Sequence, residues 1–294
     1  MRRPLSIHVV LFISLLCGAG VSVSRGAEIV FEEGIEYANP DNQHLQLNLA
    51  RPKDLTGPAH PAVVCIHGGG FRAGTRDGWN GTCKKLAERG YVAVTVTYRL
   101  SPKYQFPAAV EDVKTAVRWL RANAAKYHVD PDRIASMGDS AGGHLAQFLG
   151  VTGDVHRFDG AQYKDQSSRV QCVINYYGPE DFTRSYGKSV DAAEVLPMFL
   201  GGDVEHARQM HIVASPLYWV TPDAAPTLML HGTLDKYVNY EQATWMLERL
   251  KAAGVEAELL TLEGAGHGFK GEEAARAERA AFEFLDKHLK TKAS

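Results

Sequence analysis

Ile134-Ala135-Ser136-Met137-Gly138-Asp139-Ser140-Ala141-Gly142-Gly143 decides the fold. A short apolar run that reads as a strand passes into a Gly-x-Ser-x-Gly turn and then into a helical stretch, Ala141–Leu149. Glycines on both sides of Ser140 leave room for a strained strand-to-helix turn that lifts the serine oxygen above a sheet. The helix that starts behind the serine directs its free amides toward developing negative charge.

Upstream, Ala62-Val63-Val64-Cys65-Ile66 is continuously apolar, as in a strand buried on both faces. His67-Gly68-Gly69-Gly70 follows at once, and such a run lets backbone N–H groups point into a cavity. Gly69, Gly70 and Ala141 are therefore the candidate oxyanion donors. His67 reads as a structural residue of that loop.

Outward from these two loops, strand and helix patterns alternate. Strands are expected at Ile29–Tyr37, Leu45–Arg51, Tyr91–Tyr98, Val170–Tyr177, Thr227–Leu230 and Ala257–Leu262. Helices are expected at Thr82–Arg89, Ala108–Tyr127, Tyr240–Ala253 and Ala274–Leu289. The alternation predicts a mostly parallel sheet covered by helices on both faces, in one domain over residues 28–294. Residues 182–225 break the rhythm with Pro197, Gly201-Gly202 and Pro216, and are expected to form a cap or a pocket wall.

The chain order serine, acid, histidine places the base downstream. His267 sits in a glycine-rich loop after the last expected strand. His144 reads as packing behind the turn, His231 as loop support, and His206, His211 and His288 as surface residues. Asp235 follows the strand Thr227–Leu230 and precedes His267 by 32 residues, room for one helix and one strand. Asp223 and the pair Glu180-Asp181 are the alternatives for the acid; Asp139 and Asp112 read as structural. With Ser140, His267 and Asp235 the chemistry is acyl transfer: attack on an ester carbonyl, an acyl-enzyme, then hydrolysis, with no cofactor. No Cys-x-x-Cys or His-Glu-x-x-His spacing points to a metal.

These loops, with Tyr98-Arg99-Leu100-Ser101 and Phe106-Pro107-Ala108-Ala109-Val110-Glu111-Asp112-Val113, resemble α/β-hydrolases of the hormone-sensitive-lipase-like kind. More narrowly, the chain is similar to bifunctional feruloyl and acetyl-xylan esterases. The resemblance implies about eight strands, a small cap, and a small-molecule or oligosaccharide ester as substrate. A long N-terminal cap segment is not recognised ahead of the first strands, which favours short or aromatic acyl groups over long-chain lipids. Phe71, Trp79, Tyr177, Tyr186 and Trp219 are candidates for an aromatic-acyl pocket. An arylformamidase, a general arylesterase and a receptor-like α/β-hydrolase that binds without turnover are the rival readings.

Composition bounds the rest. Hydrophobic residues make up 45% and the formal charge is −2, so no basic field invites nucleic acid. Arg2-Arg3, the apolar run Val9–Cys17 and the small residues up to Ala27 have the order of a secretory signal, residues 1–27. That run is shorter than the roughly 20 residues of a stable membrane span. The reading is a secreted or periplasmic protein; Leu16 is too bulky for a lipid-attachment site, which argues against anchoring through Cys17. Cys65, Cys83 and Cys172 lie in apolar or helical stretches and read as small buried side chains rather than a disulfide framework.

Overall fold

Residues 63 and 65 face one side of a sheet and residues 62, 64 and 66 the other, yet all five are fully buried. Layers on both faces are the physical reason this run carries no polar alternation. A computed structural model describes residues 28–290; the signal-like segment 1–27 lies outside the described residues.

The strands are β1 (Ile29–Ala38), β2 (Leu45–Pro52), β3 (His60–Ile66), β4 (Val92–Val96), β5 (Val129–Asp139), β6 (Val173–Tyr176), β7 (Thr227–Gly232) and β8 (Ala257–Leu262). The helices are α1 (Asn80–Glu88), α2 (Ala108–Ala122), α3 (Ala124–Tyr127), α4 (Ala141–Val151), α5 (Ala192–Leu200), α6 (Arg208–Val213), α7 (Glu241–Ala252) and α8 (Gly271–Leu289). The eight strands form one sheet in the order β1-β2-β4-β3-β5-β6-β7-β8. β3 to β8 run parallel, and β2 is antiparallel to both β1 and β4. This is the mostly parallel sheet expected from the alternation, with the eight strands that the resemblance to α/β-hydrolases implies.

α2, α4 and α5 pack with Val64, Ile66 and Val94 on one face. On the other, α1 and α8 pack with Val63, Cys65 and Met137. Cys65, Cys83 and Cys172 are buried free thiols. The order β4-β3-β5 reverses beside β3, so the chain leaves β3 and β5 in diverging directions and opens a crevice at their carboxyl ends. Ile66 and Gly138 are paired in the ladder there, which sets the glycine loop and the serine turn side by side.

Most ends shift by one to three residues from expectation, and three differences stand out. The helix expected over 108–127 breaks at Asn123, beyond the last apolar residue of its stripe, and α3 ends with His128 in the left-handed region. β5 begins at Val129, five residues before the apolar run, because the polar stretch with Pro131 joins β3 through an irregular register. The strand expected over 170–177 is trimmed to 173–176.

Candidate functional site

Ser140 occupies the first turn after β5 with φ 52° and ψ −119°, a conformation that side chains rarely adopt. Its N–H donates to Tyr176 O at 2.9 Å, which pins the turn to β6. The flanking glycines are required by close backbone approach. A Cβ on Gly142 would lie 2.1 Å from Ile66 O, and one on Gly138 2.3 Å from Gly142 O.

The glycine loop after β3 is anchored from several directions. Gly68 N–H donates to Asp139 Oδ1 at 3.0 Å, and the same oxygen accepts from Trp79 Nε1–H at 2.9 Å. His67 is buried, donates through Nδ1 to Gly68 O and stacks on Tyr98, whose hydroxyl donates to His67 O. Gly69 and Gly70 take φ of 118° and 59°, so the loop folds back on itself and Gly69 O accepts from Arg72 and Ala73. The N–H groups of Gly69, Gly70 and Ala141 donate to no other described residue. All three residues line the same cavity as Ser140 and His267.

His267 stands in the loop after β8. Its Nδ1–H donates to Asp235 Oδ2 at 2.7 Å, and its Nε2 accepts from Ser140 Oγ at 2.9 Å. Asp235, in the loop after β7, accepts at Oδ1 from the N–H groups of Tyr237 and Val238. His231 Nε2 lies 3.5 Å from Asp235 Oδ2 and donates to Val238 O, which braces the loop. Burial works against the Asp235 charge, but the hydrogen bonds from His231, His267 and Val238 outweigh it and hold the carboxyl far below the ordinary carboxylate range. An imidazole held this way can take the serine proton while the carboxylate stabilises the resulting imidazolium.

The other acid alternatives sit elsewhere. Glu180 is buried, accepts from Asn175 Nδ2, and is pushed upward in pKa by burial, a setting that favours a neutral acid. Asp181 caps the turn at Thr183, and the Asp223 carbonyl accepts from Arg169. Two histidine expectations need correction. His211 is buried, with Nδ1–H donating to Ala207 O and Nε2 accepting from the Tyr186 hydroxyl, and His288 is half-buried against Phe284. His206 is exposed and pairs with Asp203.

The cavity above Ser140 measures about 430 Å3. Its apolar wall is Phe71, Phe182, Ala192, Val195 and Leu196; Ser185, Ser189, Asp191 and Arg72 supply polar edges. Seven of its lining residues come from the 182–225 insertion. The insertion is docked through Phe199, which stacks on Phe71 at 3.9 Å. Of the five aromatic candidates, Phe71 lines this cavity, and Trp79 and Tyr177 line an adjoining groove. Tyr186 is tied to His211, and Trp219, half-buried against the core, donates to Val213 O; neither lines the cavity or the groove. Tyr237, which lines the cavity 5.2 Å from the His267 ring, was not singled out; its place two residues past Asp235 is the one local clue to it.

A model of the BD-FAE family matches residues 47–250. Esterase LipC of Mycobacterium tuberculosis is 32% identical over 268 residues, 89% of this chain and 64% of LipC. A truncated carbohydrate esterase from gut microbiota superposes with a TM-score of 0.79 at 25% identity, covering 89% of this chain and 97% of the other. The butyrate-bound structure of esterase 2 from Thermogutta terrifontis superposes with a TM-score of 0.75 at 30% identity, covering 91% and 97%. The chain spans about half to just under two thirds of the length of the first curated relatives it matches. Among the described residues, no helix is long and apolar enough to cross a membrane.

Proposed function

Because the chain belongs to the BD-FAE family, we propose that it is a serine carboxylic-ester hydrolase working through an acyl-enzyme on Ser140. The observation that carries this reading is the unbroken hydrogen-bond chain Asp235–His267–Ser140 at the cavity that Gly69, Gly70 and Ala141 also line.

His267 Nε2 removes the Ser140 proton as Oγ attacks the carbonyl carbon. The amides of Gly69, Gly70 and Ala141 receive the oxyanion, each donor worth about 3 kcal/mol in acyl transfer. The tetrahedral intermediate collapses, His267 protonates the leaving alcohol, and the acyl group stays on Ser140. Water, deprotonated by the same nitrogen, then releases the acid. Asp235 keeps the proton on Nδ1, so that Nε2 is free to act as base.

The acyl group is short or aromatic, and the class is acetyl or feruloyl esters of plant polysaccharides. A cavity of about 430 Å3 with Phe71 and Phe182 in its wall supports this size. So do the titles of a similar carbohydrate esterase and of a similar esterase holding butyrate. We read residues 28–294 as one catalytic domain with 182–225 as its cap, and 1–27 as an export signal. N-terminal sequencing of protein recovered outside the cytoplasm tests that signal.

Acetate and ferulate release from acetylated xylo-oligosaccharides and methyl ferulate, alongside aryl acetate cleavage, tests the activity. Wild type turns over at least one, accumulates a serine-bound acyl group by mass spectrometry, and Ser140→Ala lowers kcat by about 10⁴-fold or more. If only aryl acetates react, the polysaccharide assignment falls. If Ser140→Ala keeps wild-type turnover, the mechanism falls.

A further inference from the structure

The groove that adjoins the site is larger than the cavity itself, about 620 Å3, and the chemistry above leaves it without a role. It shares Gly69 and Asp139 with the cavity over Ser140, so the two spaces adjoin at the glycine loop and the serine turn. Four aromatic side chains line it: Trp79, Tyr176, Tyr177 and Phe269. Their rings form a run of neighbours, with centroids 5.9 Å apart for Trp79–Tyr176, 6.2 Å for Tyr176–Tyr177 and 4.9 Å for Tyr177–Phe269. All four are half-buried, so each leaves part of its ring uncovered.

This aromatic wall is fixed to the reacting centre. Trp79 Nε1–H donates to Asp139, the residue before Ser140, and the Tyr177 ring lies 4.6 Å from that of His267. Polar groups stand among the rings. The Tyr176 and Tyr177 hydroxyls make no hydrogen bond to another described residue, and Glu278 and Thr82 add a carboxylate and a hydroxyl. Gly74, Thr75 and Gly78 at its edge are exposed and Thr82 is half-buried, so the groove runs out to solvent.

Half-buried rings lining the groove, with hydroxyl and carboxylate groups among them, match a sugar ring, whose C–H faces pack on π-systems while its hydroxyls bond at the edges. A linear apolar chain would leave the phenol groups unpaired. A saccharide satisfies both, and the solvent-exposed end lets a longer chain continue outward. We propose that this groove binds a sugar ring of the alcohol half of the substrate, with the acyl group in the cavity under the cap. The assignment rests on the esterase reading above and adds the side on which the saccharide lies.

Thr82→Trp fills the groove from a half-buried position on α1, and Phe269→Ala removes part of its wall. Xylotriose binding, read by ligand-observed NMR, needs no turnover and therefore tests the groove apart from the activity. Wild type binds xylotriose, and both variants weaken it by about tenfold, the scale of one lost stacking contact. On acetylated xylo-oligosaccharides Thr82→Trp raises KM by about the same factor, while kcat/KM for an aryl acetate stays within about twofold. Absence of xylotriose binding by wild type, or equal loss on both substrates in Thr82→Trp, overturns the proposal. If wild type binds xylotriose but cleaves no ester, the groove stands and the esterase reading is what fails.

Discussion

At Ser140 the main chain is held at φ 52° by backbone contacts that only glycine at 138 and 142 permits. The strain is maintained by the rest of the sheet, as is common where a reactive group must project from a turn. Asp235 shows the same division of labour in one carboxylate: Oδ1 is spent on two loop amides and Oδ2 on His267. Asp235→Asn preserves the shape and the amide contacts but turns an NH2 toward Nδ1. His267 then carries its proton on Nε2, the nitrogen that the proposed mechanism uses as base. We expect folding to be unchanged and kcat to fall by about 10⁴-fold. Steady-state kinetics beside a thermal melt checks this; a loss under about tenfold would move the acid's role to another group.

Among the elements, the segment leaving β4 is locked onto α2 by one guanidinium. Arg99 is 9% exposed and bonds Asp112 through both its main-chain N–H and its Nε, with Glu111 and Asp41 completing the cluster at 2.9 Å. Asp112→Ala leaves a buried cation without its inner partner, a change that costs about 3–5 kcal/mol. A calorimetric Tm lower by about 10 °C is the expected result, with kcat of the folded fraction unchanged because Asp112 lies outside the cavity. An unchanged Tm would mean Glu111 and Asp41 suffice. Legibility also sorts by element. β3 could be read because burial on both faces makes its run 62–66 continuously apolar, β4 because it is rich in β-branched residues, and the turns after β3 and β5 because glycine had to be there. The first half of β5 could not, since Asp130-Pro131-Asp132-Arg133 carries no strand pattern and is extended only through its neighbour. Ser140, His267 and Asp235 were named from chain order and are brought into contact here; their separation from Glu180-Asp181 depends on which loop reaches the histidine, a long-range fact. The cavity and the groove were legible only in part: 182–225 was expected as a pocket wall and Phe71, Trp79 and Tyr177 as lining aromatics, but the remaining walls come from segments scattered over most of the chain.

The molecule as a whole is a sheet with two helical layers and the 182–225 insertion, and His144 is where layer and insertion meet. It lies on α4, directly behind Ser140, and its Nε2–H donates to Ala214 O in the insertion at 2.7 Å. Its ring is enclosed by Phe182 at 4.8 Å and Phe71 at 5.2 Å, and its Nδ1 is buried with no partner. A proton on Nδ1 would be an unpaired buried charge, so burial lowers its pKa to about 4, against the small upward pull of the Ala214 carbonyl. The unfolded chain takes up that proton near pH 6.5. Stability from His144 is therefore complete above about pH 6.5 and drains away as pH falls toward 4, by up to about 1.4 kcal/mol per pH unit and about 3 kcal/mol in all. Because the contact is between α4 and the 182–225 insertion, the loss falls on the wall of the cavity above Ser140 as well as on global stability. His144→Gln keeps an N–H donor and removes the titration. Its Tm should lie below wild type at pH 8, where repacking costs and nothing is regained, but should fall less steeply between pH 6.5 and pH 4.5. Parallel Tm-against-pH curves for the two proteins would show that acid sensitivity arises from other groups.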